Sequence, residues 1–252
     1  MSKVALITGG QQGIGLGIAR HLKDAGFHLA LASRSDPDSP TVRSALEKLG
    51  GNARYFQHDV SEIDHIPALL DQVESSLGPL TALVNNAGVG APVRGDMLDL
   101  TPENWDFVQN INLRGAFFLA QDVARRMLAR PSDAYRSIIF VTSVSAAMVS
   151  TERAEYCVSK AGAAMMSELF AVRLAPHGIG VFELRPGIIA TEMTSGVRDK
   201  YTSRIDGGLV PSKRWGEPSD IGEVAAAMAT GQMRFANGAV VPVDGGLSIP
   251  RL

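Results

Sequence analysis

The chain predicts an α/β fold: a doubly wound parallel sheet of about seven strands, flanked by helices and carrying a small helical insertion. Three observations lead there. Short continuous apolar runs alternate with longer stretches of helical periodicity along the chain. Glycines close most of the helical stretches. Residues that pack poorly collect just after the apolar runs: Gly9 to Gly15, Ser33-Arg34, Asp59, Asn85 to Gly88, Ser143 and Pro186-Gly187. In a doubly wound sheet these positions share one rim beyond the strand carboxyl ends, where ligands bind.

Val4-Ala5-Leu6-Ile7 is the first strand, apolar on both faces as a buried parallel strand requires. Ile14 to Ala25 is a helix with Ile14, Ile18 and Leu22 on one side and Gly26 as its stop. His28 to Ala32 is a strand, and Thr41 to Leu49 a helix closed by Gly50-Gly51. Arg54 to His58 is a strand, and Ile63 to Leu77 a helix stopped by Gly78-Pro79. Ala82-Leu83-Val84 is the fourth strand. Thr101 caps a helix that begins near Pro102 and runs toward Arg130. Ser137 to Thr142 is the fifth strand, Ala154 to Ala175 a long helix, Gly180 to Leu184 the sixth strand and Ala239 to Val243 the last. Thr191 to Trp215 is the least regular stretch and reads as a small mobile helical segment covering the rim. The cluster Ser35 to Pro40 is a turn, not a linker, so residues 1–252 are expected to form a single domain.

The composition is that of an ordinary globular chain, 45% apolar and 20% charged with a formal net charge of −2. So neutral a balance offers nothing to nucleic acid or an anionic membrane. No apolar stretch is long enough for a transmembrane helix, and the first apolar run is too short for a secretory signal. Cys157 is the only cysteine, which excludes an internal disulfide and points to a reducing compartment, the cytoplasm. His21, His28, His58, His65 and His177 show no metal-ligand spacing, so no metal is expected.

Three groups suggest chemistry. Tyr156 and Lys160 are four apart and share one helix face. Ser143 ends the fifth strand and brings a hydroxyl to the same rim. A phenol beside an ammonium gives up its proton more readily, which carbonyl and alcohol redox chemistry requires. Plainer readings stand beside this one. Ser143 could cap the segment after its strand, with Ser145 the hydroxyl that counts. Tyr156 could be a half-buried core phenol, Lys160 a solvated residue, and Asn112 a partner for backbone groups at a helix kink. Cys157 is turned away from Tyr156 and reads as packing.

Gly9-Gly10-Gln11-Gln12-Gly13-Ile14-Gly15 joins the first strand to the first helix. Glycines there let the backbone approach a pyrophosphate, and the helix N-terminus supplies free N–H groups. From Thr8 to Gly15 the spacing resembles the Thr-Gly-x-x-x-Gly-x-Gly signature of the short-chain dehydrogenase/reductase family. The resemblance spans nearly the whole chain: Asn85-Asn86-Ala87-Gly88, Asn112, the Ser143/Tyr156/Lys160 set, Pro186-Gly187 with Thr191, and Val243-Asp244-Gly245-Gly246 match in order. Within the family the chain looks most like the 3-oxoacyl-(acyl-carrier-protein) reductase-like branch.

The resemblance implies a Rossmann-type oxidoreductase that moves a hydride between a nicotinamide and a carbonyl or carbinol carbon. It implies Ser143 on the substrate oxygen, Tyr156 as proton donor, Lys160 holding the nicotinamide ribose, and Asn112 anchoring a relay water. Gly9, Gln12, Gly13, Ile14 and Gly15 would meet the pyrophosphate, Asp59 and Val60 the adenine. Asn86, Ala87, Gly88, Pro186, Gly187, Ile189, Thr191 and Met193 would complete the cofactor site with Tyr156 and Lys160. It also implies a homotetramer through the helices of 102–130 and 154–175.

Cofactor choice turns on Ser33-Arg34-Ser35, which stands where a carboxylate would favour NAD. A guanidinium and two hydroxyls suit a 2′-phosphate, so NADP(H) is favoured and NAD(H) stays open. Against it, Gln12 stands where NADP-binding members carry a basic residue, and Asp36 and Asp38 lie near. For the substrate, Ser145, Met148, Ile188 and Trp215 are the main candidates, with Arg94, Val149, Glu152 and Met193 around them. Arg125, Arg126, Arg130 and Arg173 could form a basic patch for an acidic carrier protein, or simply a solvated face. The expected function is an NADP(H)-dependent carbonyl reductase acting on a small molecule, with a 3-oxoacyl thioester as the candidate substrate. An NAD(P)-dependent sugar or polyol dehydrogenase is the alternative, and a non-catalytic cofactor sensor a third.

Overall fold

The structure is a computed structural model that describes residues 3–130, 132–196 and 198–251. Position 197, inside the expected 191–215 segment, lies outside the described residues. In chain order the elements are β1 (Lys3–Thr8), α1 (Gly13–Asp24), β2 (Phe27–Ser33), α2 (Pro40–Leu49), β3 (Ala53–Gln57), α3 (Ile66–Leu77) and β4 (Ala82–Asn85). Then come α4 (Pro102–Gln109), α5 (Ala116–Ala129), β5 (Arg136–Val141), α6 (Ala154–Leu174), β6 (Ile179–Pro186), α7 (Glu192–Ser195), α8 (Arg198–Asp206), α9 (Pro218–Thr230) and β7 (Val240–Val243).

The seven strands form one sheet in the order β3-β2-β1-β4-β5-β6-β7, all parallel. Chain direction across the sheet reverses between β1 and β4, so the crevice for a ligand opens at the ends of those two strands. Each face is covered by helices. Leu6, Leu83, Ile138 and Phe140 pack against α3, α5 and α6, while Ile7, Leu29, Val84, Ile139 and Phe182 pack against α1, α2 and α9. These strand side chains are buried on both faces, which is why the strands read as continuous apolar runs rather than alternating ones. Each fully buried Leu, Ile or Phe contributes roughly 1.5–3 kcal/mol.

Two features differ from the expectations. The helix expected from Pro102 toward Arg130 is broken by a π-helical turn, Asn110–Gly115, between α4 and α5. Helix α9 was not foreseen at all. It has Pro218 in its first turn and a reciprocal cap between Glu217 and Asp220. It packs against α1 so closely that a Cβ on Gly17 would collide with the carbonyl of Pro218. The segment after β6 does carry small helices, α7 and α8. Ile205, Val210 and Leu247 form a separate apolar cluster there with Trp215, Ile188 and Val144, which seats the segment next to the end of β5.

Candidate active site

The rim begins at the glycine loop. Gly9 (φ 65°) and Gly13 (φ 50°) take the left-handed backbone that favours glycine. A Cβ on Gly15 would collide with Gly9 O and stand 2.8 Å from Asn86 Nδ2. The loop therefore lies flat against its neighbours, with glycine backbone rather than side chains at the start of α1. That is the shape a diphosphate needs. Thr8 ties this loop to the end of β4: its Oγ1 accepts from Asn86 N at 3.0 Å and Ala87 N at 2.9 Å. Asn86 Nδ2 donates back to Thr8 O at 2.8 Å. Gln12 is exposed and Ile14 half-buried.

The segment after β6 folds over this loop. Thr191 Cγ2 would lie 3.4 Å from a Cβ on Gly13. Thr191 and Thr194 cap α7 reciprocally, with Thr191 N donating to Thr194 Oγ1 at 3.0 Å. Pro186 closes β6, Gly187 is pressed against Asp244, and Ile189 is buried in a bridge to Gly216. Met193 is exposed.

The end of β2, where the adenine is expected, differs from the sequence reading at Ser33. Ser33 does not offer a free hydroxyl: it is buried, and its Oγ lies 2.7 Å from the Tyr55 phenol oxygen. Of the two serines, only Ser35 has a hydroxyl with no partner among the described residues. Asp36 and Asp38 are both occupied. Asp38 pairs with Arg43 at 2.9 Å, and Asp36 Oδ1 accepts from Asp38 N at 2.7 Å. Arg34 is exposed. Asp59 caps its own turn, accepting from Ser61 N at 2.9 Å and Ser61 Oγ at 2.7 Å. Burial opposes its charge, but the Ser61 hydrogen bonds and the Arg34 guanidinium hold the carboxyl below its ordinary value. Val60 presses its carbonyl against Gly115 in the π turn.

Lys160 and Tyr156 on α6 lie beside the end of β5, and Ser143 follows that strand end. Lys160 is buried, and its Nζ donates to Val141 O at 3.1 Å. The same Nζ lies 5.8 Å from the Tyr156 ring centre. Ser143 Oγ accepts from Ser145 N at 3.1 Å, so it caps the short turn after β5. Accepting leaves its own hydrogen free to donate. Ser145 Oγ is buried without a partner among the described residues. Asn112 is buried in the π turn. Its Nδ2 donates to Val89 O at 2.9 Å and Ser159 Oγ at 3.0 Å, while its Oδ1 accepts from Val89 N at 2.8 Å. Both amide hydrogens are spent, so a relay water can use only the second lone pair of Oδ1 or the backbone carbonyl.

Sequence reasoning missed Ser159 and Tyr55. Ser159 is fully buried and donates to Tyr156 O at 2.8 Å, joining the Asn112 amide to the Tyr156 turn. Its place just before Lys160 was the available signal. Among the substrate candidates, Arg94 and Glu152 line one cavity of about 650 Å³ with Met97 and Leu98. Met148 and Val149 are exposed. Ile188 belongs to the α8 cluster, and so does Trp215, whose Nε1 donates to Thr202 Oγ1 at 3.1 Å. The basic patch these arginines could have formed is mostly neutralised. Arg125 pairs with Asp122, Arg126 with Asp71 and Glu74, and Arg130 with Glu74, while Arg173 meets His177. Among the described residues no His/Cys/Asp/Glu group could hold a metal, and no helix is long and apolar enough to cross a membrane.

A family model described as Enoyl-(Acyl carrier protein) reductase matches residues 9–248. The chain is 32% identical over 248 residues to the 3-oxoacyl-(acyl-carrier-protein) reductase FabG of Staphylococcus epidermidis, covering 98% of this chain and 99% of that one. Among solved structures, a 3-oxoacyl-(acyl-carrier protein) reductase from Brucella melitensis in complex with NAD superposes with a TM-score of 0.96. It is 47% identical, over 100% of this chain and 99% of that one. A gluconate 5-dehydrogenase from Burkholderia cenocepacia in complex with NADP and tartrate superposes with a TM-score of 0.90 at 30% identity, over 100% of this chain and 97% of the other.

Proposed function

The chain belongs to the short-chain dehydrogenase/reductase family, and on that premise we propose that it transfers a hydride between NADP(H) and a ketone or secondary alcohol. The observation that carries this reading is the buried Lys160, which reaches the end of β5 at Val141 O and lies beside the Tyr156 ring, with Ser143 just past that same strand end. When bound, the nicotinamide supplies the hydride. Gly9, Gln12, Gly13, Ile14 and Gly15 would hold the diphosphate at the start of α1, with Asp59 and Val60 at the adenine. Asn86, Ala87, Gly88, Pro186, Gly187, Ile189, Thr191 and Met193 would hold the nicotinamide half.

Ser143 donates its free hydrogen to the substrate oxygen and stabilises negative charge as it develops there. Tyr156 gives that oxygen a proton in reduction and takes one back in oxidation. Lys160 spends one of its three hydrogens on Val141 O, leaving two for the ribose and for the Tyr156 side. Asn112 keeps Val89 and Ser159 in place around this group. Arg34 supports NADP(H) over NAD(H), as an exposed guanidinium at the adenine end.

A 3-oxoacyl thioester is the leading substrate class, supported by the reductase relatives. A sugar acid or polyol is the second reading. It is favoured by the gluconate 5-dehydrogenase likeness and by the ion pairs that occupy Arg125, Arg126 and Arg130, which leave little basic surface for an acidic carrier protein. The segment 191–215 acts as the substrate cover. Exposed Met165, Leu169 and Val172 on α6 support a homotetramer, and the lone cysteine supports a cytoplasmic setting. The test is oxidation of NADPH with acetoacetyl-CoA, beside NADH, gluconate with NADP, and Tyr156→Phe. Turnover should prefer NADPH and fall on the order of 10²–10⁴-fold in Tyr156→Phe. A fully active Tyr156→Phe would overturn the mechanism.

A further inference from the structure

We infer that Tyr55 is a positioning residue for cofactor choice: its phenol fixes the turn that presents Arg34 to the ribose 2′ position. The inference rests on the reading of Arg34 as a 2′-phosphate ligand. It starts from an unusual concentration of hydrogen bonds at the junction of β2 and β3. The Tyr55 oxygen lies 2.8 Å from Ser33 O, 2.7 Å from Ser35 O and 2.7 Å from Ser33 Oγ. A phenol has one hydrogen, so it serves one carbonyl at a time while the Ser33 hydroxyl donates into it. Gln57 Nε2 donates to the carbonyl between them, Arg34 O, at 3.3 Å. His58 N donates to Ser33 O at 2.8 Å.

Three successive carbonyls, those of Ser33, Arg34 and Ser35, are therefore all drawn toward β3. A carbonyl oxygen carries partial negative charge and repels a phosphate. With these three engaged at β3, their partial negative charge is taken up there rather than offered to a ligand of the exposed Arg34. Arg34 is exposed, and its charge helps hold the Asp59 carboxyl below its ordinary value. The Tyr55 ring itself is anchored in the apolar cluster that includes Leu31, its partner across the β2–β3 pairing. A rigid ring holding a turn at both flanks of an arginine limits where that arginine can reach.

The experiment measures KM and kcat for NADPH and for NADH in the wild type, Tyr55→Phe, Gln57→Ala, Arg34→Ala and the Tyr55→Phe/Arg34→Ala double variant. Melting temperatures accompany each. Tyr55→Phe keeps the ring packing and removes only the hub. It should raise the NADPH KM roughly five- to tenfold, the scale of one hydrogen bond, and leave the NADH KM within about twofold and kcat unchanged. Gln57→Ala, at an exposed position, should move the NADPH KM in the same direction by about twofold. Arg34→Ala should raise the NADPH KM more, and the double variant should match it, because Tyr55 acts only through Arg34. An equal rise for both cofactors, or no rise in either Tyr55→Phe or Gln57→Ala, overturns the inference while Arg34→Ala still weakens NADPH. If Arg34→Ala leaves the NADPH KM unchanged, the 2′-phosphate reading itself falls, and the inference with it.

Discussion

Replacing Asn112 with alanine should lower both stability and turnover, because one side chain holds three pieces of the site together. It removes the bonds to Val89 O, Val89 N and Ser159 Oγ, at 2.9, 2.8 and 3.0 Å. A hydrogen bond contributes about 1 kcal/mol net, and a buried group left unpaired costs about 1–3 kcal/mol. Ser159 is fully buried but keeps its bond to Tyr156 O, and the Val89 backbone is only half-buried, so water can re-pair part of it. The sum is about 2–4 kcal/mol. At roughly 2–4 °C per kcal/mol for a chain of this size, the melting temperature should fall by roughly 4–16 °C. The loss reaches chemistry because Gly88 neighbours both Asn112 and Lys160, whose polar ends stand 3.2 and 3.4 Å from where a Gly88 Cβ would be. Displacing that loop by about 1 Å costs on the order of 10² in rate. Thermal melting by circular dichroism and kcat measured well below the variant's midpoint read the two effects separately. A variant that melts like the wild type, or one that melts early yet keeps full kcat, refutes the coupling argued here.

Other outcomes follow from packing and titration. Gly17→Ala should destabilise the protein: the helix gains about 1 kcal/mol in propensity, but the new methyl meets the Pro218 backbone, which cannot step aside, at a cost of about 1–3 kcal/mol or more. Gly162→Ala should be near neutral in the same melting assay, since its methyl meets only the tip of Leu113, 2.8 Å away. Equal effects from the two would sink the distinction. Burial lowers the pKa of the His58 imidazole; the carboxylates of Asp59 and Glu62 oppose this, and His65 adds to it. The unfolded chain therefore takes up this proton more readily. The contribution is complete above the ordinary histidine value of 6.5 and is lost as pH falls from there toward the lower folded value. Melting temperature followed from about pH 8 to pH 5 should drop less in His58→Gln than in the wild type; superimposable profiles would remove His58 from the account.

Much of this molecule can be read in its sequence because burial on both faces leaves a plain mark. Val4 to Ile7 and Ile138 to Val141 have no polar face to disguise them, and Gly26, Gly50 and Gly78 end helices where they stand. Helix α9 escaped for a physical reason. Its contact with α1 is made by missing side chains, Gly17 and Gly222, and half of its buried apolar residues are alanine, so no strong periodicity marks it. The cap residues Glu217 and Asp220 with Pro218 were legible and would have found it. The π turn shows in the sequence only as a kink that Asn112 could satisfy, since apolar residues continue on both sides of the added residue and the stretch 102–130 reads as one helix. The engagement of Ser33 by Tyr55 joins residues on neighbouring strands and follows only from their register. By contrast, a single helix turn sets Tyr156 beside Lys160 before any tertiary contact forms, and Ser143 marks a strand end, so these candidates could be named from the sequence.

The extra residue of the Asn110–Gly115 turn also sets a phase. An α-helix advances about 100° per residue, so one residue more or fewer would rotate everything downstream by that angle. As built, α4 and the turn direct Asn112 and Gln109 toward α6, Gln109 Nε2 donating to Glu155 O at 2.9 Å, while α5 directs Leu119 and Val123 into the sheet. A regular helix through the same span could satisfy one of these demands but not both. Single-residue deletions between 110 and 115 would therefore turn a core face outward, and the length of this stretch is held as tightly as any side chain in it.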